Sequence, residues 1–430
     1  LLCSVSRNFI LERKMKFLFA LLALAVSLSS AEKLRFDNFR VYRLIPKDEE
    51  TLNILKELED TEETSEYNFW SPPLKVGGEV DLMVPPYRID EIENMAKTRG
   101  MNASVFIENV QELIDEEGLR PESRAGSFGW TSYHTLAEYN SFLRSLATRF
   151  PRTVTLLRGG VSHEGREILG VKVSFSSANQ YNAVFLESLI HAREWIAGAV
   201  NTYILNETVT STDPAFRRFA ERYDWYVFPV FNPDGYSFTH TNNRMWRKTR
   251  VPYSGNCFGA DPNRNWGYFW NSGGASAQPC AETYRGPFAF SEPSTRSMSQ
   301  FIATIADRLV AYISFHSFSQ MLLIPYGFTT AHLDNYALTH AIGLRAAASL
   351  ARRFGTRYVV GNVAETIYIA SGGSMDWVKG TFGTPIAYTY ELRDRGSFGF
   401  LLPAAQIIPS ALETLDSLVT ILDEYERSRQ

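Results

Sequence analysis

The chain has 430 residues, of which 45% are hydrophobic, 21% charged and 13% aromatic. This composition is globular and excludes a collagenous, coiled-coil or wholly disordered chain. The formal net charge of −4 is unevenly distributed, because residues 32–124 carry 22 acidic and 12 basic side chains whereas residues 125–430 carry 24 and 27. The nearly neutral body lacks the basic stripe that nucleic-acid binding requires, so we expect no nucleic-acid partner.

The first 31 residues have the pattern of a removable leader. Residues 1–14 are leader sequence or are not translated, and residues 15–31 read as a secretory signal peptide with a charged start, the apolar run Phe17–Leu28 and small residues up to Ala31. That run of 12 residues is well short of the roughly 20 that a membrane-spanning helix needs. We therefore expect a secreted, extracellular protein without a membrane anchor.

Cysteine usage agrees with an oxidising compartment. Removal of the leader takes Cys3 with it and leaves Cys257 and Cys280. Two cysteines in a secreted domain predict one disulfide bond, and their isolated spacing does not suit a closed structural zinc site.

Residues 32–124 predict a small α/β open sandwich followed by a linker. The patterns favour strands near 39–45, 79–84 and 103–107 and helices near 49–58 and 89–99. An acidic helix then ends at Gly118, and the following stretch, rich in Gly, Pro and Ser, is typical of an exposed linker. Arg124 lies in this stretch and is the candidate cleavage point for a trypsin-like protease, because Arg120 precedes a proline.

Residues 125–430 alternate helical and strand patterns, which favours a doubly wound α/β domain. Thr135 and Glu138 form a capping box for a helix that runs to Phe150. Nearly continuous apolar runs predict strands that are covered on both faces, at residues 183–190, 225–231, 309–315 and 385–390.

Ligand-type side chains follow these apolar runs, at the positions where open α/β sheets bind ligands. His191 and Glu194 follow the first run and His316 follows the third. Two imidazoles and one carboxylate are the protein ligands of a common type of catalytic zinc site. Glu391 follows the last run and is a candidate general base. Other polar side chains cluster nearby in the sequence: Asn232, Arg244, Arg247, Asn263 and Arg264.

Six sequence blocks together resemble a known family. The chain contains HAREW at 191–195, NRMWRKTR at 243–250, DPNRNW at 261–266, SFHSFSQ at 314–320, TIYIASGGSMDW at 366–377 and TYELRDRG at 389–396. In order and approximate spacing they closely resemble the zinc metallocarboxypeptidases of the pancreatic carboxypeptidase A and B kind. The resemblance extends from the acidic segment almost to the C-terminus.

The resemblance implies roles for the individual side chains. Those that would perform the chemistry are His191, Glu194 and His316 as ligands of one Zn²⁺, Glu391 as the general base for the attacking water, and Arg247 as the donor to the oxyanion. Those that would hold the substrate or the site are Asn263 and Arg264 on the terminal carboxylate, Tyr368 closing over it, Arg193 along the peptide, and Asp261 orienting His191.

The resemblance also assigns a pocket for the terminal side chain. Met375 takes the place where an acidic residue selects Lys or Arg in part of the family, with Gly327, Val363 and Thr389 completing a mostly apolar wall. An uncharged Met cannot compensate a buried ammonium group, so we expect release of apolar or aromatic residues. Phe318 replaces a tyrosine that is common in the family, so any hydrogen bond from that hydroxyl to substrate is missing.

For the whole chain, the resemblance implies an α/β peptidase domain at 125–430 with a mixed sheet of the eight-stranded type. Residues 32–124 would be its activation domain, so the chain is expected to be a zymogen that a trypsin-like protease activates. The sequence leaves the oligomeric state open, and a monomer is the default expectation. Its substrates would be peptides or proteins with a free C-terminus. The alternative is a catalytically inactive secreted protein that only binds C-termini. A serine hydrolase and an HExxH protease are disfavoured, because their motifs are absent from the sequence.

Overall fold

The computed structural model describes residues 33–60, 67–118, 128–176 and 182–430. The chain folds around two β-sheets, a small one in its N-terminal part and a large one in its C-terminal part. The expected leader (1–14), the expected signal peptide (15–31) and the candidate cleavage point at Arg124 lie outside the described residues.

The N-terminal domain is a four-stranded antiparallel sheet with the strand order β2-β3-β1-β4. Its strands are β1 (Arg40–Ile45), β2 (Asn68–Phe69), β3 (Val80–Val84) and β4 (Asn102–Ile107). Its helices are α1 (Glu49–Asp60), α2 (Ile89–Arg99) and α3 (Val110–Gly118). Leu55 of α1 and Ile92 of α2 pack on Leu44 and Leu82 of the sheet. This arrangement confirms the predicted open sandwich.

Local sequence signals set the ends of the first two helices. The Asp48 side chain accepts a hydrogen bond from the Thr51 amide at 2.9 Å, which satisfies one of the free N–H groups at the start of α1. Gly100 ends α2 with φ 62°, a left-handed conformation that favours glycine. The two helices agree with those predicted near residues 49–58 and 89–99.

The C-terminal domain is built on an eight-stranded mixed sheet with the order β11-β10-β12-β9-β7-β8-β6-β5. The strands are β5 (Val154–Val161), β6 (Glu167–Val173), β7 (Ala183–Ser188), β8 (Asp224–Phe228), β9 (Leu309–Ser317), β10 (Met321–Ile324), β11 (Val359–Asn362) and β12 (Ile386–Leu392). The adjacent strands β12, β9, β7 and β8 are parallel, and antiparallel strands flank them on both sides.

Helices cover both faces of this sheet, which confirms the doubly wound architecture. They are α4 (Leu136–Arg149), α5 (Trp195–Thr210), α6 (Pro214–Arg222), α7 (Pro233–Thr241), α8 (Pro293–Ala303), α9 (Tyr336–Phe354), α10 (Val363–Thr366), α11 (Ser374–Phe382) and α12 (Ile407–Arg427). Helices α4, α5, α9 and α12 contribute to one apolar core, and α8 and α11 contribute to the other. The predicted capping box of Thr135 and Glu138 begins α4.

Two strands extend further than the apolar runs predicted. His316 and Glu391 were expected just after their strands, but each is the penultimate residue of a strand, β9 and β12. The parallel pairing continues through them, with Glu391 opposite His316 and Leu392 opposite Ser317. Conversely, β7 ends at Ser188, before the predicted Ile190, and Leu189 has φ 53°. Backbone hydrogen bonds to the neighbouring strands set these strand ends, and the pattern of apolar residues does not reveal those bonds.

Cys257 and Cys280 form the predicted disulfide bond across a sequence separation of 23. In the described part of the chain, no helix combines the length and apolar character that crossing a membrane requires.

Candidate metal centre and active site

Three expected metal ligands meet at the carboxyl ends of the parallel strands. His191 and Glu194 lie in the turn between β7 and α5, and His316 lies on the adjacent strand β9. One ligand atom from each residue lies within 4.8 Å of the others. The His316 Nδ1 atom is 3.0 Å from His191 Nδ1 and 3.1 Å from Glu194 Oε2. All three side chains are buried.

These donors fit a zinc ion. The two Nδ1 atoms lie 3.0 Å apart beside the Glu194 carboxylate, so when both rings carry their proton on Nε2 the Nδ1 lone pairs face one shared position. Burying convergent acceptors is costly unless a cation compensates them. Two imidazoles and one carboxylate also leave a fourth position of a tetrahedral zinc site open for water or substrate.

Asp261 lies behind His191 and fixes its ring. Asp261 Oδ1 is 3.1 Å from His191 Nε2, so a neutral imidazole that donates Nε2–H to it presents the Nδ1 lone pair to the metal position. Asp261 Oδ2 accepts from Arg247 Nη2 at 2.7 Å. Burial alone would raise the pKa of Asp261, but Arg247 and His191 outweigh it and hold this pKa well below its ordinary value. The carboxylate therefore stays charged in a buried position.

Glu391 lines the cleft beside these ligands. Its place is set by β12, where it pairs in register with His316 of β9. Desolvation raises the pKa of its carboxyl to about 8, against the opposing effect of His316. Its position beside the metal ligands is one from which a carboxylate can exchange a proton with a bound water.

A guanidinium and a phenol lie together further along the cleft. Arg264 donates from Nη2 to the Tyr368 hydroxyl at 3.2 Å and from Nη1 to the Asn263 carbonyl at 3.0 Å. The Asn263 side-chain oxygen accepts from the Ser374 amide at 2.9 Å at the start of α11. The arrangement presents N–H donors that can take a carboxylate.

Close backbone packing holds this group of donors. Gly372 has φ +75°, and a Cβ atom at this position would lie 2.4 Å from the Arg264 carbonyl oxygen. The segment therefore approaches Arg264 at a distance that only glycine allows.

The expected pocket residues line the same cavity of about 420 Å³: Gly327, Val363, Met375 and Thr389. Met375 is buried, and its sulfur accepts a hydrogen bond from the Thr389 hydroxyl at 3.5 Å.

Asp376 also lines this cavity, and the sequence analysis did not identify it. Its Oδ2 accepts from the Gly327 amide at 2.8 Å, and burial raises the pKa of its carboxyl to about 7. In the sequence, the only indication of Asp376 was its position next to Met375, which the resemblance had assigned to the pocket.

The N-terminal domain covers the outer part of the cleft. Trp70 lines the cavity, with its ring centroid 5.1 Å from that of Phe400 and 6.3 Å from that of Phe318. Arg193 donates from Nη1 to the Asn68 side-chain oxygen at 2.8 Å and from Nη2 to the Phe69 carbonyl at 3.2 Å. In the full chain, Phe318 and Arg193 are therefore in contact with the N-terminal domain.

A second contact between the domains is a buried ion pair. Arg244 donates from Nε and Nη2 to the Glu117 carboxylate at 2.6 and 2.8 Å. The sequence analysis named Arg244 only as a nearby polar residue and did not single out Glu117. Their 127-residue separation leaves no local signal for the pair.

The expected site residues thus converge on one region. Along the main cavity the structure places His191, Glu194, Arg247, Asn263, Arg264, Phe318, Val363, Tyr368, Met375, Thr389 and Glu391. Arg193 lines a small adjoining cavity, and His316 and Asp261 lie in the wall, in contact with the residues above.

Comparison with known proteins agrees with this geometry. The zinc carboxypeptidase family model matches residues 139–417, and the carboxypeptidase activation peptide model matches residues 42–117. Zinc carboxypeptidase A 1 of Anopheles gambiae is 44% identical, covering 94% of each chain. The zinc carboxypeptidase of Simulium vittatum is 55% identical, covering 69% of this chain and 97% of its own.

The crystal structure of carboxypeptidase A from Helicoverpa armigera superimposes with a TM-score of 0.81 at 29% identity, covering 90% of this chain and 98% of that one. The two family models match the two domains, and the buried cluster of His191, Glu194 and His316 fits the zinc site that the family name implies. The chain belongs to the zinc carboxypeptidase family and carries that family's activation peptide.

Proposed function

We propose that this chain is a secreted zymogen whose mature form hydrolyses the C-terminal peptide bond of peptides and proteins and prefers apolar or aromatic terminal residues. One observation carries the proposal: Arg264, Glu391 and two of the metal ligands, His191 and Glu194, line one cavity, and the third ligand, His316, lies directly behind its wall. A substrate whose terminal carboxylate binds at Arg264 can therefore reach Glu391 and the metal position within the same cavity.

Recognition of the free C-terminus begins at Arg264. A planar guanidinium can hold a carboxylate through two parallel N–H bonds, which the single ammonium of a lysine cannot do. The Tyr368 hydroxyl, 3.2 Å from Arg264 Nη2, is placed to add a donor once the carboxylate has bound. An amidated terminus has no charge to bind, so this anchor selects the C-terminal residue.

The chemical step is divided among residues around the metal position. A zinc ion held by His191, Glu194 and His316 would supply a Lewis acid for the scissile carbonyl and lower the pKa of the attacking water. Glu391 takes the proton from that water and returns it to the leaving amine. Arg247, held by Asp261 through Nη2 at 2.7 Å, directs its remaining donors to the oxyanion that forms as the carbonyl becomes tetrahedral.

The pocket supports an apolar preference. Met375 offers thioether and methylene surface where a charged terminal side chain would need a counter-ion. The Asp376 carboxyl, which also lines the cavity, already accepts hydrogen bonds from the Gly327 and Phe328 amides at 2.8 and 3.3 Å.

The domain contacts support the zymogen. Trp70 lines the cavity beside Phe318. The Asn68 side chain and the Phe69 carbonyl accept hydrogen bonds from Arg193, which we propose as a contact for the peptide chain. We propose that residues 1–14 are leader or untranslated, 15–31 the signal peptide, 32–124 the activation domain with its linker, and 125–430 the peptidase. A trypsin-like protease would cut after Arg124, and the protein would act as a monomer.

Replacement of the proposed general base tests the chemistry. We expect Glu391→Gln to lower kcat by about 10²- to 10⁴-fold, because an amide cannot take the proton, while zinc content and KM change little. The matched control is Glu365→Gln, an exposed carboxylate paired with His332 at 2.9 Å. An unchanged kcat in Glu391→Gln would refute this role and require another base, whereas absence of turnover in the activated wild type would favour a protein that only binds C-termini.

Gly372→Ala tests the anchor. The added methyl group would lie 2.4 Å from the Arg264 carbonyl and displace that residue, so we expect kcat/KM to fall roughly 10- to 100-fold, mostly through KM. Gly383→Ala is the control, because Gly383 has φ +66° but no atom within 4 Å of the new Cβ. Equal effects of the two substitutions would point to backbone strain alone.

Matched peptides that end in Phe or Arg test the pocket. The mature enzyme should cleave the Phe peptide with the higher kcat/KM, and Met375→Asp should shift the preference towards Arg, because it supplies a counter-charge inside the cavity. A wild-type preference for Arg would refute the apolar assignment.

Limited proteolysis tests the zymogen. Full-length protein should show little activity, and activity should rise as the chain is cut after Arg124. In an Arg124→Gln variant that cut and the accompanying rise should be absent, as mass spectrometry of the products and a peptide assay can establish. Full activity before cleavage would contradict the proposal.

A further inference from the structure

The two histidines of the metal centre differ in what lies behind their rings. A histidine that binds a metal through Nδ1 carries its proton on Nε2, and that N–H almost always meets a carboxylate, a carbonyl or a water. For His191 the acceptor is Asp261, whose Oδ1 atom lies 3.1 Å from Nε2. His316 is only 1% exposed, and its Nε2 atom forms no hydrogen bond with any described residue. A buried donor without an acceptor is costly, so this N–H needs a partner.

A buried carboxylate on the neighbouring strand has a matching unpaired oxygen. Glu187 of β7 is fully buried and pairs in register with Ser314 of β9. Its Oε1 atom accepts hydrogen bonds from the Ser314 hydroxyl and, at 3.2 Å, from the Tyr312 hydroxyl. Its Oε2 atom is buried and has no hydrogen-bond partner within the part of the chain that the structure describes. One oxygen of the carboxylate is therefore anchored, while the other can still accept a hydrogen bond.

The pleat of β9 brings His316 next to this carboxylate. Residues two apart on a strand point to the same face, so the side chains of Tyr312, Ser314 and His316 lie in one row. Glu187 contacts the first two of them, and the imidazole of the third follows one step further along the strand. Burial raises the pKa of the Glu187 carboxyl, and His316 exerts the largest opposing effect, which agrees with a short distance between the two side chains.

The separation of the two unpaired atoms fits a bridging water. Glu187 Oε2 and His316 Nε2 are buried in the same region but are too far apart for a direct hydrogen bond. Buried waters in proteins lie where otherwise unsatisfied polar groups converge, and a water can accept from an N–H while it donates to a carboxylate. One water at this position would satisfy both atoms at once.

We propose that a buried water joins His316 Nε2 to Glu187 Oε2, which makes Glu187 a positioning residue for the metal ligand His316. The water accepts the Nε2–H and donates to the carboxylate, so the proton of the imidazole stays on Nε2 and the Nδ1 lone pair stays directed at the metal position. Asp261 thus orients His191 directly, and Glu187 orients His316 through water. The inference rests on the zinc site alone and does not depend on the proposed substrate preference.

Zinc affinity tests this role without an assay of activity. The full chain is stripped of metal and titrated with zinc in competition with a chromophoric chelator. We expect Glu187→Met to weaken zinc binding about 10- to 100-fold, because it removes the acceptor. Glu187→Gln should give a smaller loss, because an amide oxygen accepts a hydrogen bond but carries no charge. Wild-type affinity in Glu187→Met would overturn the inference, whereas a wild type that binds no zinc would contradict the metal centre itself.

Glu292 supplies a matched control. It is also a fully buried carboxylate, and it accepts hydrogen bonds from the hydroxyls of Tyr253 and Thr249. It precedes α8 and both of its oxygens have partners, so Glu292→Met removes a comparable group from another place in the fold. This variant should keep the zinc affinity of the wild type. An equal loss of affinity in the two methionine variants would refute a specific role for Glu187.

Thermal unfolding separates positioning from general destabilisation. A ligand that binds only the folded protein raises Tm by an amount that follows its affinity. Glu187→Met should therefore lose part of the rise in Tm that zinc produces in the wild type, beyond any drop in the metal-free protein. An unchanged zinc-induced rise, with a lower Tm in both forms, would make Glu187 a structural residue only.

The zinc-loaded wild type provides a check that does not depend on the folding of any variant. Its crystal structure should contain a water within hydrogen-bond distance of both Glu187 Oε2 and His316 Nε2. Another acceptor on Nε2, or a Glu187 carboxylate turned away from His316, would overturn the proposal.

Discussion

The parallel pairing of β7, β9 and β12 is the constraint on which the site depends. Parallel strands end at the same edge of a sheet, so the turn after β7 brings His191 and Glu194 to His316, and β12 puts Glu391 opposite His316 in register. Residues 200 positions apart in the chain thereby surround one metal position. Loss of that register by one residue would turn Glu391 to the other face of the sheet.

Charges at the site are arranged in layers around this edge. Asp261 bridges His191 and Arg247, so the group that orients a metal ligand also holds the expected donor to the oxyanion. Further out, the N-terminal domain presents Glu117 and the Phe69 carbonyl to Arg244 and Arg193. The N-terminal domain thereby covers two cations of the C-terminal domain.

The sequence was informative where local pattern and geometry coincide. The capping box at Thr135, the helix end at Gly100 and the apolar central strands all follow from short-range rules, and the family blocks located the metal ligands. The ends of β9 and β12 were missed because pairing with a neighbour extends them. The Glu117–Arg244 pair and the contact of Asp376 with Gly327 arise only when distant segments pack together, so no local pattern reports them.

The most direct test of the account combines metal removal with a change at the substrate terminus. The activated protein is treated with a chelator and then resupplied with zinc, and at each stage it is assayed on one peptide with a free and with an amidated C-terminus. We predict that cleavage of the free peptide disappears and returns with zinc, while the amidated peptide stays intact throughout. Cleavage that survives complete zinc removal, or equal cleavage of both peptides, would contradict a metal centre joined to a carboxylate anchor.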